Sequence, residues 1–367
     1  MNANTTITAL YNSVSINQSP TREIDSLANH FQHENFFQLS IAQEARRRQL
    51  KDKFSRGFGG RVFLTQGILG MAEIEIPGID IHFVEEGALG KLVAAGAFKN
   101  SILIANNNDI SLHGSLDTYI NFFQGATETI VVAWDFDNHH WYPMSTIFAT
   151  HSDMYFPAHP DYFSLLSRYN RCIAGPISAG VIQWSRSFLR ENLEHILHAP
   201  RSDQPLGTHL FYDKFRFRTQ AINTLANHYP ASVGFQTVAY HKTPGIERLK
   251  RWCGHKAHWI VPVLNDIAIR LFDALITGGV PIVPDTLKYH PTIAALSEHV
   301  IFYRATDLMA PETVVSAAIS KFDSGGVEKI AERHRLALDR HHVTACVETI
   351  LKTVVAEFEI PLRAAIG

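Results

Sequence analysis

The sequence is poor in cysteine and lacks long apolar stretches. Its three cysteines, Cys172, Cys253 and Cys346, are odd in number and show no CxxC spacing. Reduced thiols in a cytoplasmic protein are therefore expected. No run of about 20 apolar residues occurs, so no membrane-spanning helix is predicted. The N-terminus is polar and lacks the basic start and apolar block of a signal peptide.

The sequence also lacks an excess of charge and several well-known site motifs. With 33 Lys and Arg against 35 Asp and Glu, the net charge is -2, which does not indicate a nucleic-acid surface. No GKS/T phosphate loop, GxSxG turn or Cys–His nucleophile arrangement is present. The glycines at 57–60 precede a strand, so they do not match the dinucleotide fingerprint. Twenty histidines include His139, His140, His151 and His159, but without HxH or HExxH spacing they predict no metal site.

What is present is an ordinary globular composition, 46% hydrophobic and 19% charged, with a repeating pattern of β-rich and helical segments. Near-continuous apolar strands that alternate with helices indicate a parallel sheet covered on both faces. The β-rich runs of the first half are RVFLTQG, IDIHFVEEG, SILIANNND, ETIVVAWDF, DMYFPAH and RCIAGPI, and those of the second half are THLFY, SVGFQTV, AHWIVPV, VPIVP and HVIFY.

This alternation predicts an α/β protein with two doubly wound, Rossmann-like domains that face each other across a cleft. A polar segment with Pro and Gly sets the boundary near residue 200. We expect an N-terminal helical segment over 1–60 packed on the first domain, a first domain over 61–200, and a second domain with C-terminal helices over 201–367. Ligands of such sheets bind beyond the carboxyl ends of the strands, so the cleft is the expected active site.

The stretch NDIAIRLFDALITGGVPIVPD, residues 265–285, carries the most informative pattern. Asn265 or Asp266 is predicted to cap a helix, because a short polar side chain accepts hydrogen bonds from its first N–H groups. Arg270 and Asp273 stand three residues apart and share a face of that helix. An exposed ion pair on an ordinary helix is the alternative interpretation.

Two adjacent glycines end the same helix. Gly278 is predicted as the residue that follows the helix in a left-handed conformation. Gly279 leaves space for a backbone or a ligand to approach closely. An ordinary helix stop without a ligand explains these glycines equally well.

The longer segment KAHWIVPVLNDIAIRLFDALITGGVPIVPDTLKYHP closely resembles the nucleotide-sugar-binding segment of GT-B glycosyltransferases. The similarity is strongest to the exostosin-like and CgeB-like groups and extends over about residues 205–305. The matching positions are Asn265, Arg270, Asp273, Ala274, Gly278, Gly279 and Pro281. Many GT-B members have Glu where this chain has Asp273, and in them that carboxylate accepts hydrogen bonds from the nucleotide ribose.

The resemblance implies a donor held mainly by the second domain, a nucleotide-sugar as co-substrate, and no metal or other cofactor. A departing nucleotide diphosphate is then neutralised by cations and helix N-termini. Arg216 and Arg218, at the start of a helix in FYDKFRFR, are the main candidates, and Lys256 before a strand is another. A solvated basic helix face is the alternative for these arginines.

The acceptor is expected at loops after strands of the first domain, ANNND at 105–109 and WDFDNHHWYP at 134–143. If the reaction inverts the anomeric centre, a general base is needed, and Asp135, His139 and His140 are its candidates. If it retains configuration, this loop only positions the acceptor.

These observations predict a cytoplasmic glycosyltransferase, as used in polysaccharide biosynthesis, that moves a sugar from a nucleotide-sugar to a glycan, lipid-linked or protein acceptor. A sugar-nucleotide epimerase of the same fold and a non-catalytic sugar-nucleotide-binding protein are the alternatives. The basic segment ARRRQLKDKFSR, residues 45–56, permits peripheral membrane contact, although a solvated helix face explains it as well.

Overall fold

The computed structural model describes residues 36–65, 73–85, 87–112, 115–139, 141–236 and 243–361. By its internal contacts the chain divides into residues 1–42 and residues 43–367, and the two sheets and their cores belong to the latter. In the described ranges no helix is long and apolar enough to cross a bilayer.

The first sheet has five parallel strands in the order β2-β1-β3-β4-β5. Every residue of β3 and β4 is buried, because helices cover both faces. This explains why their sequences are continuous apolar runs rather than alternating ones. The strands are β1 Arg61–Thr65, β2 Asp80–Val84, β3 Ser101–Asn106, β4 Thr129–Asp135 and β5 Met154–Pro157.

Helices connect these strands, with two differences from the sequence-based prediction. ANNND is not a loop: Asn106 ends β3, and its Oδ1 accepts the backbone N–H of Asn108 at 3.0 Å, which starts a helix at once. RCIAGPI is not a strand: only Ile173 bridges to β5, since Pro176 has no N–H for a ladder. The helices are α1 Phe36–Phe54, α2 Leu89–Ala94, α3 Asn107–Leu112, α4 Leu116–Gly125, α5 Tyr142–Thr150 and α6 Phe163–Leu166.

Two short helices, α7 Arg186–Glu191 and α8 Leu193–His198, stand where the sequence predicts one longer helix. Ser185 caps α7 by accepting the backbone N–H of Phe188 at 3.2 Å. Asn192 separates the two helices with a non-helical backbone. The polar segment near residue 200 follows α8 and leads into the second sheet.

The second sheet contains five parallel strands, in a three-stranded part β10-β9-β8 and a two-stranded part β6-β7. Leu206 joins them: its N–H donates to the carbonyl of Ala257 at 2.8 Å, and its carbonyl accepts the N–H of Trp259 at 2.7 Å. The full order is therefore β7-β6-β8-β9-β10, which repeats the order of the first sheet. The strands are β6 Gly207–His209, β7 Val233–Phe235, β8 Ala257–Trp259, β9 Val280–Pro284 and β10 Ile301–Tyr303.

Separate apolar cores cover the two faces of this sheet. Ile222 and Ala318 contribute to one core, and Leu249 and Phe272 to the other. The prediction of two doubly wound parallel sheets is thus confirmed. The helices are α9 Arg216–His228, α10 Gly245–Cys253, α11 Ile269–Ile276, α12 Pro291–Ala295, α13 Glu312–Asp323, α14 Gly326–Arg340 and α15 Val343–Glu357, with 3-10 turns at Asp285–Leu287, Ser297–His299 and Ala305–Met309.

The last helix belongs to the first core, not to the second as the predicted division places it. Val347 and Leu351 of α15 are buried in the cluster that contains Val62 and Ile104 of the first sheet. Its apolar stripe therefore packs on the first sheet. The boundary at residue 200 itself stays a prediction.

The chain passes between the two sheets twice, and the two passages are hydrogen-bonded to each other. The N–H of Val181 donates to the carbonyl of His341 at 2.7 Å, and the N–H of Val343 donates to the carbonyl of Val181 at 3.0 Å. A Cβ added at Gly180, whose φ is 68°, would lie 2.0 Å from the His341 carbonyl oxygen. The passages approach so closely that only glycine fits at this position.

The second half of α1 is fixed on the first sheet. Leu50 and Phe54 are buried in the first core, whereas residues 1–35 lie outside the described residues, so the packing of the whole segment 1–60 stays a prediction. Arg46 binds the buried Asp153 through Nε at 2.6 Å and a terminal nitrogen at 3.0 Å. Lys53 pairs with Glu128. The basic segment thus directs these cations towards acids of its own chain.

Replacing Arg46 by methionine is expected to lower the free energy of unfolding by about 3–5 kcal/mol, because the buried carboxylate of Asp153 loses its partner. Urea unfolding at neutral pH measures the change. Lys51→Met is the control: its pair with Glu359 is exposed, so it should cost less than about 1 kcal/mol. Equal effects of the two substitutions would contradict the assigned role of Arg46.

Candidate functional site

Polar side chains that follow the strands join the carboxyl edges of the two sheets. The Nε2 atom of His139, after β4, lies 3.8 Å from a carboxylate oxygen of Asp266, after β8. The rings of His159, after β5, and His290, after β9, have centroids 4.7 Å apart. Because ligands of open parallel sheets bind beyond the carboxyl ends of strands, these contacts locate the candidate site.

Two arginines lie in the crevice between β6 and β8, where the strand order of the second sheet reverses. Arg218, in the first turn of α9, donates from Nε to the carbonyl of Val261 at 3.1 Å and from a terminal nitrogen to that of Leu210 at 2.6 Å. Arg270, in the first turn of α11, donates from Nε to the carbonyl of Thr208 at 2.9 Å. The ends of the strands thereby fix both guanidinium groups at the switch point.

Burial and mutual repulsion shape the charge of this crevice. Burial, and then Arg270, lower the pKa of Arg218 to about 10, so its guanidinium stays charged at neutral pH. Burial and the two arginines hold the pKa of His209 well below its usual range. Its Nε2 accepts the N–H of Val261 at 3.3 Å, which requires a neutral ring. The cluster therefore carries positive charge from the arginines alone and suits an anionic ligand.

Asp266 lies beside this cluster and faces the first sheet. Its side chain is 27% exposed. Burial, and then the nearby Asp137, raise the pKa of Asp266 to about 7, although Arg270 and Arg218 oppose the shift. The carboxylate is thus poised between its two protonation states at neutral pH. The predicted helix-capping role is wrong, since α11 begins after Ala268 and no side chain caps it.

Three imidazoles lie close together, with their rings tilted against one another, between the two edges. The ring centroids of His139 and His159 are 5.2 Å apart. Burial lowers the pKa of His159, and burial together with His159 lowers that of His290 to about 4. The Nδ1 of His290 accepts the N–H of Thr292 at 3.2 Å, as a neutral ring does. Within the described residues, no three His, Cys, Asp or Glu side chains are grouped to hold a metal ion.

Asp135, predicted as a base, is 1% exposed at the end of β4. One carboxylate oxygen accepts the hydroxyl of Tyr155 at 2.6 Å, and the other accepts the backbone N–H of Asp137 at 3.0 Å. Burial raises its pKa to about 6, although the nearby Ser145 hydroxyl and the hydrogen bond from Tyr155 oppose the shift. This carboxylate faces the protein interior and holds the start of the loop, so the structure does not place it against an acceptor.

Asparagine side chains fix the rest of this loop. Asn107 donates from Nδ2 to Asp137 at 3.0 Å, and its Oδ1 accepts the backbone N–H of Phe136 at 2.8 Å. The half-buried Asp137 is thereby held towards Asp266. His140, the third predicted base, lies outside the described residues.

The remaining predicted donor residues at this edge differ in exposure. Arg216 is exposed at the first residue of α9. Asn265 is exposed and accepts the hydroxyl of Thr286 at 2.8 Å. Asp273 is 0% exposed in α11, one turn beyond the half-buried Arg270. An exposed Arg270–Asp273 pair is therefore excluded, and the ribose contact of Asp273 stays a prediction.

Lys256 is not at the site. It precedes β8 and therefore lies at the amino edge of the second sheet, opposite the strand ends that carry the arginines. Its Nζ lies 2.7 Å from Asp203 and 2.9 Å from Asp323. The prediction that it binds the donor is wrong, because a position before a parallel strand and one after it lie at opposite edges.

Gly278 and Gly279 also lie at the amino edge, before β9, so their predicted donor contact is wrong. The helix end itself is as predicted, since Gly278 has a φ of 76°. The N–H of Gly278 donates to the carbonyl of Leu275, and the N–H of Gly279 donates to that of Ala274 at 2.8 Å. A Cβ on Gly279 would lie 2.3 Å from Nε2 of the buried His258. The glycines let neighbouring elements approach, and no ligand is needed to explain them.

The half-buried Arg201 and the buried Arg333 bind the carbonyl groups that follow the end of α11. Arg201 donates to the carbonyl of Thr277 at 2.7 Å, and Arg333 donates from Nε to that of Gly278 at 2.9 Å. Both guanidinium groups lie over the ring of Phe322, at 5.1 and 5.5 Å. Cations at a helix C-terminus neutralise its partial negative charge, which explains this basic cluster without a ligand.

Sequence reasoning missed Asp266, His159 and His290 as site residues. Each follows a strand within a few residues, in LND, PAHPD and KYHP. That position after a strand was the available signal. Which of these side chains meet depends on how the two sheets are placed relative to each other, and this cannot be predicted from the sequence pattern.

Comparison with known proteins gives limited similarity. No protein-family model and no curated protein matches the chain. The α,α-trehalose 6-phosphate synthase of Burkholderia multivorans is 12% identical with a TM-score of 0.47, over 76% of this chain and 75% of that one. The glycotransferase of kitacinnamycin is 8% identical with a TM-score of 0.37, over 80% of this chain and 98% of that one. At these values neither likeness indicates a family or a function.

Gly279→Ala is expected to lower the free energy of unfolding by about 1–3 kcal/mol, because His258 is stacked on Trp252 and has no room to move. Thermal or urea unfolding measures the loss. In Gly125→Ala the added methyl meets no atom within 4 Å, so that variant should be unchanged or slightly stabilised. A neutral Gly279→Ala would show that no close approach exists there.

Asp266→Asn should change how stability depends on pH. Because the folded pKa of about 7 lies above the usual carboxyl value, proton binding stabilises the folded wild type at low pH, and this contribution is lost as pH rises to 7. The stability of wild type relative to the variant should fall by about 1 kcal/mol per pH unit over this range. Urea unfolding between pH 4.5 and 8 measures it.

Thr286→Val, a neighbouring change without a titrating group, is the control and should shift stability equally at every pH. A constant difference between wild type and Asp266→Asn would show that the carboxyl pKa is not raised.

Proposed function

We propose that this protein is a GT-B glycosyltransferase that transfers a sugar from a nucleotide-sugar to a glycan, lipid-linked or protein acceptor. The observation that carries the proposal is the arginine pair at the switch point of the second sheet, opposite the polar loop of the first sheet. The sequence resemblance of residues 205–305 to the donor segment of such enzymes supports it. Membership of the exostosin-like or CgeB-like groups is part of the proposal.

Arg218 and Arg270 bind the diphosphate of the donor. Both lie in first helical turns at the carboxyl edge, and α11 begins there without a side-chain cap, so its N-terminus faces the same edge. Negative charge grows on the diphosphate as the sugar–oxygen bond breaks, so fixed cations stabilise the transition state more than the ground state. Arg216 and Asn265 lie at the same edge and contribute to donor binding.

The loop after β4 binds the acceptor. It carries Asp137, which lies near Asp266, and the 36%-exposed Trp141. Aromatic rings stack on the apolar faces of sugars, and carboxylates bind their hydroxyls. This combination favours a carbohydrate acceptor portion, which glycans, glycolipids and glycoproteins share.

Arg270→Ala is expected to weaken nucleotide-sugar binding by about 10- to 100-fold, since one charged hydrogen-bond donor to the diphosphate is lost. Calorimetry with UDP-, GDP-, dTDP-, ADP- and CMP-sugars identifies the donor and measures the loss. Arg335→Ala, at an exposed position of α14, is the matched control and should bind as wild type does.

Absence of binding to every donor at millimolar concentration would overturn the proposal. Conversion of a bound donor into its epimer, without transfer or hydrolysis, would instead identify an epimerase. Binding without any turnover would identify a non-catalytic binding protein.

A further inference from the structure

Asp266, in the loop between β8 and α11, approaches His139 of the loop after β4 in the first sheet. It also lies next to Arg218 and Arg270. In the proposed donor site, the bond that breaks lies between diphosphate and sugar. A group beside the arginines and opposite the acceptor loop is therefore adjacent to the reacting carbon. This geometry does not apply to Asp135, whose carboxylate is directed into the interior of the first half.

Exposure distinguishes the two members of the Asp266–His139 contact. The side chain of Asp266 is 27% exposed, whereas that of His139 is 2% exposed. A proton acceptor must touch the hydroxyl that it deprotonates, so the carboxylate meets this requirement and the imidazole behind it does not. Their 3.8 Å separation is longer than a hydrogen bond, and a movement of about 1 Å brings them within range.

The groups that face Asp266 adjust its basicity from several elements. Asp137, from the loop after β4, disfavours its charged form, while Arg270 of α11, Arg218 of α9 and the backbone N–H of Ile267 favour it. With burial included, the pKa of the carboxyl is raised to about 7. A base is most effective when its pKa is close to the working pH, because it is then both ionised and able to hold a proton.

We propose that Asp266 is the catalytic base of the transfer reaction and that His139 positions it. The inference rests on the proposed function and extends it to an inverting mechanism. The acceptor oxygen forms a bond to the anomeric carbon while its proton passes to the Asp266 carboxylate. The bond from that carbon to the diphosphate breaks, and its electron pair leaves on the nucleoside diphosphate held by Arg218 and Arg270.

Hydrolysis of the donor provides a test that needs no known acceptor. A base that deprotonates an acceptor hydroxyl also deprotonates water in the same position, so the wild type should slowly hydrolyse the donor that calorimetry identifies. NMR of the product gives the rate and the configuration, which should be inverted. The rate should rise with pH, with an apparent pKa near 7.

Asp266→Asn should bind the donor with an affinity within about threefold of wild type. Its rate of donor hydrolysis should be at least about 100-fold lower. Formate, a small carboxylate, should restore part of the rate to Asp266→Ala. His139→Asn should keep most donor affinity and move the rise in rate to higher pH, because in the proposed arrangement the imidazole approaches the carboxylate, donates to it and favours its charged form. Asp117→Asn, on the exposed face of α4, should behave as wild type.

Each other outcome is decisive. Unchanged hydrolysis in Asp266→Asn, retained configuration of the product, or bound donor without any hydrolysis in the wild type would overturn the role of Asp266 and leave donor binding intact. Failure of every donor to bind would overturn the proposed function itself.

Discussion

The reversal of strand order at one point in each sheet is the constraint on which the site depends. In the second sheet, connections from β6 and β8 leave towards opposite faces, so no connection covers the crevice between their carboxyl ends. Arg218 fills this gap by binding carbonyl groups of both strand ends. The crevice therefore follows from the strand order. Its positive charge comes from arginines that are held there because they donate to carbonyl groups at the strand ends.

The two ends of α11 illustrate how charge is separated within this half. At the carboxyl edge the helix begins beside Arg270 and Asp266, and the Asp266 carboxyl, with a pKa raised to about 7, gains or loses a proton near neutral pH. At the amino edge Arg201 and Arg333 bind the carbonyl groups that follow the helix, and the adjacent glycines allow tight packing. Rigid packing at one end supports groups at the other end that must hold a precise position but change protonation.

Apolar runs made the sheets predictable, since fully buried strands such as β3 and β4 have few polar residues. The arginines after β6 and β8 were predictable for the same reason, as they follow recognisable strands. Lys256 and the glycine pair were misplaced because they precede their strands. Asp266 was missed because its importance comes from His139 and Asp137, which are more than 120 residues away in the sequence and are brought near only by tertiary structure.

The return of α15 to the first core has a mechanical consequence. Two chain segments link the sheets, and main-chain hydrogen bonds at Val181 tie them together beside Gly180. A single linker would leave one sheet free to rotate about several axes relative to the other. Two linkers that are hydrogen-bonded to each other restrict rotation of one sheet against the other more than a single linker does.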